Sequence, residues 1–206
     1  MTWWSMSAAL ALGLVAALLT GPVLRTLPAG ADSPCYATLA TGRFAATIGV
    51  LTAAAGLVVT LGAEHRLLWL PLVAAGVLQA GIDARTTWLP LRLSQVLWAG
   101  TATALALQAL TEPSAALRGL AGAALTAAGF WLVWRLGGLG FGDVRLAPVL
   151  GAVTAAESWP HVLAALLLGT GIGAVHGVIR LLRGHRGPFP YGPSLVLGTF
   201  GALLIR

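Results

Sequence analysis

Two aspartates stand where an acid is costly. Asp83 ends an apolar stretch, in Ala80-Gly81-Ile82-Asp83-Ala84-Arg85, and Asp143 opens another, in Gly140-Phe141-Gly142-Asp143-Val144-Arg145. An ionisable residue at membrane depth marks a functional position by default. The plainer reading is an interfacial acid beside a basic residue, since Arg85 and Arg145 each follow two positions later. One such acid leaves both readings open; two, each beside distinctive local sequence, favour chemistry. Carboxylates that converge share one proton, because repulsion keeps one member neutral while the other stays charged. The charged member takes a proton from water, and the neutral member donates a hydrogen bond to the scissile carbonyl. That is peptide hydrolysis without a metal or a covalent intermediate. Sixty positions separate the two acids, so any convergence must come from the fold.

The surrounding composition says what kind of fold that is. Of 206 residues, 58% are hydrophobic and 9% charged. Soluble domains carry about 25% charged residues; so few charges leave lipid as the natural solvent. Eight apolar segments are separated by charges, Pro and Gly: Met6–Leu24, Phe44–Leu61, Leu67–Ile82, Leu93–Leu110, Leu117–Trp134, Leu146–Trp159, Val162–Leu182 and Pro193–Ile205. The sixth and eighth are short for a full span. The expectation is an all-α, polytopic membrane bundle of six to eight transmembrane helices. It forms one domain over residues 1–206, with the chemistry-bearing region at 67–206. The N-terminal Met1-Thr2-Trp3-Trp4 run lacks a basic n-region and reads as part of a retained first helix rather than a signal peptide. Small residues allow close helix packing, and Gly171-Ile172-Gly173-Ala174 is one stretch of that kind.

Charge sets the orientation. The net charge is +6, and every basic residue is an arginine. With eight spans, Arg25, Arg43, Arg85, Arg92, Arg135, Arg145, Arg180, Arg183 and Arg186 fall on one side; Arg66, Arg118 and Arg206 fall on the other. The positive-inside rule places the larger group in the cytoplasm, together with Asp32, Asp83 and Asp143. Glu64, Glu112 and Glu157 then face outward. Arginines scattered this way form no basic face, so a nucleic-acid partner is not expected. The eight tryptophans, mostly near segment ends, read as an interfacial aromatic belt.

Glycines 137, 138, 140 and 142 lead into Asp143. Without Cβ atoms such a run can bend, take positive φ and lie close to a substrate strand. Gly140-Phe141-Gly142-Asp143 with Val144-Arg145-Leu146 resembles the GxGD-Val-Lys-Leu signature of the prepilin peptidase (type IV leader peptidase) family. Asp83 followed by Leu89-Pro90 and Leu93-Ser94 is similar to that family's first aspartate motif. Pro188-Phe189-Pro190-Tyr191-Gly192-Pro193 is similar to its Pro-Phe-Gly-Pro stretch. The resemblance covers roughly Leu67 to Arg206. It implies an aspartyl endopeptidase with Asp83 and Asp143 as the catalytic pair, supported by Gly140, Phe141, Gly142 and Arg145. Its substrates would be prepilin-like or pseudopilin proteins in the bacterial inner membrane, cut after a charged leader at the cytoplasmic face.

Several features differ from the family pattern. Arg145 stands for the usual lysine, and Pro190-Tyr191 lengthens the last motif. Many members also methylate the new N-terminus with S-adenosylmethionine and carry a zinc-binding cysteine domain after the first helix. Here that region is Arg25–Arg43, with Cys35 the single cysteine. The expectation is therefore no metal and no cofactor, S-adenosylmethionine entering only if methylation is retained.

Other residues carry weaker signals. Arg85 and Arg92 flank the first motif and are candidates for contacting an acidic group of the substrate, against a plain role as cytoplasmic anchors. His161, His176 and His185 fall at different depths and do not converge as a triad requires. A small proton-coupled transporter would also use intramembrane acids, but it predicts repeats and acids near the midplane. A non-catalytic subunit of a pilus or secretion assembly would tolerate loss of Asp143.

Overall fold

The computed structural model describes residues 3–28, 33–185, 187 and 189–205. Asp32, Arg186, Pro188 and Arg206 lie outside them. Among the described residues all regular structure is helical. The helices are α1 (Trp3–Thr26), α2 (Gly42–Gly62), α3 (Arg66–Thr86), α4 (Leu91–Thr111), α5 (Pro113–Arg135), α6 (Phe141–Glu157), α7 (Trp159–Leu182) and α8 (Gly192–Ala202). Six of them, α1 to α5 and α7, are long and apolar enough to cross a membrane. The chain is thus a multi-pass helical membrane protein, and the two short segments expected from sequence are α6 and α8. Two boundaries around the sixth segment differ: the helix begins at Phe141 rather than Leu146, which takes Asp143 into its first turn, and Trp159 opens α7 instead of closing α6.

Three helix pairs pack most extensively: α1 with α2, α5 with α6, and α7 with α8. A facing glycine pair joins each. A methyl on Gly13 would stand 2.5 Å from the carbonyl oxygen of Gly49, and one on Gly49 would stand 2.8 Å from that of Gly13. Gly122 and Gly151 close on each other's carbonyls in the same way, and Gly198 lies on the backbone of Gly169. In lipid there is little hydrophobic drive between helices, so this close approach of backbones supplies the dispersion energy that holds pairs together. Thr126 Oγ1 adds a bond across α5 and α6, donating to the Ala147 carbonyl at 2.9 Å. In the Gly171–Ala174 stretch the roles divide: Gly173 packs against Tyr191, while Gly171 faces open space.

α6 is the most enclosed helix, with Leu146, Ala147 and the run Val149–Ala156 all buried. Against it lie α4, α5, α7 and α8, and its end meets α3 through the Trp69–Glu157 hydrogen bond. Trp69 is fully buried in the core, its ring tilted against that of Phe200 with centres 5.8 Å apart, so it does not belong to an interfacial belt. α3 contains a π-helical turn at Leu72–Gly76, directly after Pro71. Proline supplies no N–H to the ladder, and the wider turn shifts the register of everything after it. The Val77–Thr86 half then buries Gln79, Ile82 and Asp83.

Glu64, Glu112, Arg118 and Glu157 gather at one end of the bundle. At the end of α6 remote from Asp143, Glu157 accepts from the main-chain N–H groups of Glu64 and His65 and from Trp69 Nε1, at 2.9, 3.1 and 2.9 Å. Arg118 donates to the Ala156 carbonyl there and lies 3.9 Å from Glu112.

Candidate active site

Asp83 sits one turn before the end of α3, and Asp143 sits in the first turn of α6, where the helix dipole favours a carboxylate. Both are buried, 2% and 6% exposed. They line one cavity of about 870 Å³. Its walls come from the turn after α3 (Thr87, Trp88, Leu89), the glycine run 137–142, α7 (Thr170, Gly173, Ala174, Gly177), and Phe189 and Tyr191 ahead of α8. The fold thus carries two acids from remote positions onto one cavity.

Each acid is held by local structure. Asp83 Oδ2 accepts a buried hydrogen bond from the N–H of Gly192, 2.9 Å away and 109 positions along the chain. Thr87, immediately after α3, is left-handed at φ 59° with its N–H bonded to the Asp83 carbonyl at 2.8 Å. A β-branched residue rarely takes that conformation. It turns the chain so that Leu89 lies on Gly142, where an added methyl would meet Leu89 Cβ at 3.2 Å. Gly140 caps α6, its carbonyl accepting from Asp143 N–H at 3.1 Å, and leaves room beside Asp143 Oδ2. Within the glycine run only Gly137 has a positive φ, 80°; the others serve close packing and space rather than unusual backbone.

Asp143 lies outside the six apolar spans. Burial first, and the charge of nearby Asp83 second, push its carboxyl from the ordinary 3.8 up to about 7, against a Gly140 backbone hydrogen bond that favours the charged form. The two groups therefore sense each other, as a proton-sharing pair must.

The other sequence candidates fall in different places. Phe141 and Arg145 line the cavity, with the Arg145 guanidinium 4.9 Å from the Phe141 ring centre. The Arg145 carbonyl accepts from Trp98 Nε1 at 2.7 Å, which ties α6 to α4. Arg85 is exposed and does not line the cavity. Arg92 lies at a separate apolar groove bounded by α1 to α4. His161 contacts Ser158 Oγ at 2.7 Å at the start of α7, and His176 packs edge-on to Phe189. Glu64, His65 and Glu157 hold their ligand atoms within 4.8 Å of one another. Both Glu157 oxygens already accept N–H groups, and His65 Nδ1 lies 3.1 Å from Gln108 Nε2, so this set is committed internally.

Thr170, Gly173, Gly177 and Tyr191 were not singled out as site residues from sequence. A signal for two of them was present: Gly173 and Gly177 continue a series from Gly169 that recurs every four residues along α7 and marks one face of it. Nothing in the sequence marks the Gly192 N–H as a partner for Asp83.

A model of the type IV leader peptidase family matches residues 70–178, which include both aspartates but not the Pro188–Pro193 stretch. Prepilin leader peptidase/N-methyltransferases of Aeromonas salmonicida, including strain A449, are 36% identical over 90 residues. That alignment covers 37% of this chain and 30% of each relative. No solved structure matches the chain.

Proposed function

Because the chain belongs to the type IV leader peptidase family, we propose that it is an intramembrane aspartyl endopeptidase in which Asp83 and Asp143 are the catalytic pair. The observation that carries this reading is the meeting of the two acids on one cavity. Asp83, held by Gly192 N–H, is the charged member and takes a proton from the attacking water. Asp143, neutral below about 7, donates to the scissile carbonyl as the oxyanion develops. Asp83 then passes the proton it took from water to the amide nitrogen, Asp143 recovers its own as the carbonyl re-forms, and the carbon–nitrogen bond breaks to give an acid and a free amine. Water and two carboxyls suffice, so the proposed reaction requires no metal and no cofactor.

The substrate class follows from the family and the site. Prepilin-like proteins anchored in the bilayer would present an extended segment to the cavity, where the small residues Ala174 and Gly177 leave room for backbone. Arg25, Arg43, Arg85, Arg92, Arg135, Arg145, Arg180 and Arg183 share the aspartates' side of the loop alternation, which supports cleavage at the cytoplasmic face of a bacterial inner membrane. We read residues 1–206 as one membrane domain. Methyl transfer, present in the relatives' name, is outside the proposed reaction; S-adenosylmethionine would be needed only for that second activity.

The test is cleavage in a membrane. The chain is co-expressed with a panel of prepilin-like substrates, alongside Asp83→Asn and Asp143→Asn. Asn keeps the shape and removes the ionisation. A product starting just after the charged leader, seen with wild type and absent from both variants, is expected. Wild-type cleavage by either Asn variant would sink the assignment, and failure to cut any substrate would favour a transporter or an assembly subunit.

A further inference from the structure

Tyr191, immediately before α8, is fixed to α7 by two contacts. Its hydroxyl donates to Thr170 Oγ1 at 3.2 Å. Its ring fills the space that Gly173 leaves, where any added methyl would overlap the ring. The Tyr191 carbonyl accepts from the N–H groups of Ser194 and Leu195 at 3.1 and 3.2 Å, so the same residue starts the first turn of α8. Phe189, 6.1 Å from the Tyr191 ring, is itself edge-on to His176 of α7 at 4.9 Å. The next amide after this anchored residue is Gly192 N–H, the donor to Asp83 Oδ2.

We propose that Tyr191 is a positioning residue: by its hydroxyl contact with Thr170 it holds the Gly192 N–H on Asp83 Oδ2 and so fixes the Asp83 carboxylate in its working rotamer. The inference rests on the reading of Asp83 as catalytic. An N–H can only donate, so Oδ2 is committed as an acceptor and Oδ1 is left for the reacting water. Tyr191 belongs to the lengthened part of the last motif, so the tether is a feature of this chain's own sequence.

Two measurements on Tyr191→Phe, Thr170→Val and the double variant test this. Phe keeps the ring on Gly173 and removes only the hydroxyl, so the fold survives. In cleavage kinetics on a prepilin-like substrate, Tyr191→Phe lowers kcat on the order of tenfold with KM little changed, as expected when a reacting group is held slightly out of line. The double variant loses no more than Tyr191→Phe alone. In hydrogen–deuterium exchange, the peptide containing Gly192 exchanges faster in Tyr191→Phe than in wild type, while peptides of α2 and α5 are unchanged. An unaltered kcat, a change confined to KM, or unaltered exchange at Gly192 would each overturn the tether. The exchange measurement needs no substrate, so it decides the tether even if Asp83→Asn still cleaves and the catalytic reading itself fails.

Discussion

The main-chain N–H of Gly192 donates to Asp83 Oδ2 at 2.9 Å, and no side chain fits between them. A methyl on Gly192 would stand 2.8 Å from that oxygen and 3.5 Å from the carboxyl carbon. The third motif is thus built onto the first aspartate, and α8, short as it is, has its N-terminus placed by the site.

Gly192→Ala is therefore expected to push the Asp83 carboxylate off its donor. Cleavage activity falls by a factor of about 100 or more, the loss expected from a misplacement of about 1 Å at a reacting group. Gly142→Ala makes the milder comparison. Its methyl would meet Leu89, nearest at the movable Cδ1 end of the side chain, so partial relief is available. Steady-state rates of the two purified variants check the order; equal losses would contradict it.

The proposed acid–base pair predicts a bell-shaped pH profile. One proton must reside on the pair, and burial with the Asp83 charge holds the Asp143 carboxyl near 7. As pH rises through about 7, Asp143 loses the proton it must donate and kcat/KM declines; on the acid side, protonation of the base stops the reaction. Rates against pH on one peptide substrate in detergent measure both limbs. A rate still climbing two units above 7 would exclude Asp143 as the acid.

Stability carries the same signature with a defined sign. The folded protein binds the Asp143 proton more tightly than the unfolded chain, because the carboxyl rises from 3.8 to about 7 on folding. Its contribution is complete below about pH 4 and is lost as pH rises through about 7. Asn never charges, so Asp143→Asn melts above wild type at pH 8, by a few degrees, and the gap shrinks toward pH 4. Thermal melts in detergent at several pH values decide it; a gap independent of pH would place the cause elsewhere.

Most of the helices were legible because lipid imposes a strong pattern: long apolar runs broken by Arg, Pro and Gly. The two acids were legible for the related reason that a carboxylate at membrane depth is rare. The start of α6 was misplaced because Phe141–Arg145 carries polar and glycine residues that read as loop, although Gly140 caps a helix that already includes them. Trp69 read as an interfacial residue because its distance along the segment is all the sequence supplies; its burial depends on α8 and Glu157, which are remote in the chain. The Gly192–Asp83 bond was illegible for the same reason, since a main-chain donor has no residue-type signature. The facing glycines Gly13 and Gly49 look like any others until the partner helix is known.

Glu157 offers a control at the opposite end of the bundle. Its carboxylate accepts three N–H groups, from Glu64, His65 and Trp69, and so joins the start of α3 to the end of α6. Glu157→Gln replaces one accepting oxygen with an NH₂ that faces donors and leaves at least one of them unsatisfied. The cost is about 1–3 kcal/mol. Among the described residues, none at that end lines the cavity around Asp83 and Asp143. The variant is expected to melt at lower temperature while each folded molecule cleaves at the wild-type rate. Active-site titration alongside a thermal melt separates the two effects. A fall in rate per folded molecule would mean that α6 transmits strain along its length to Asp143, and the two ends of the bundle would then have to be treated as one mechanical unit.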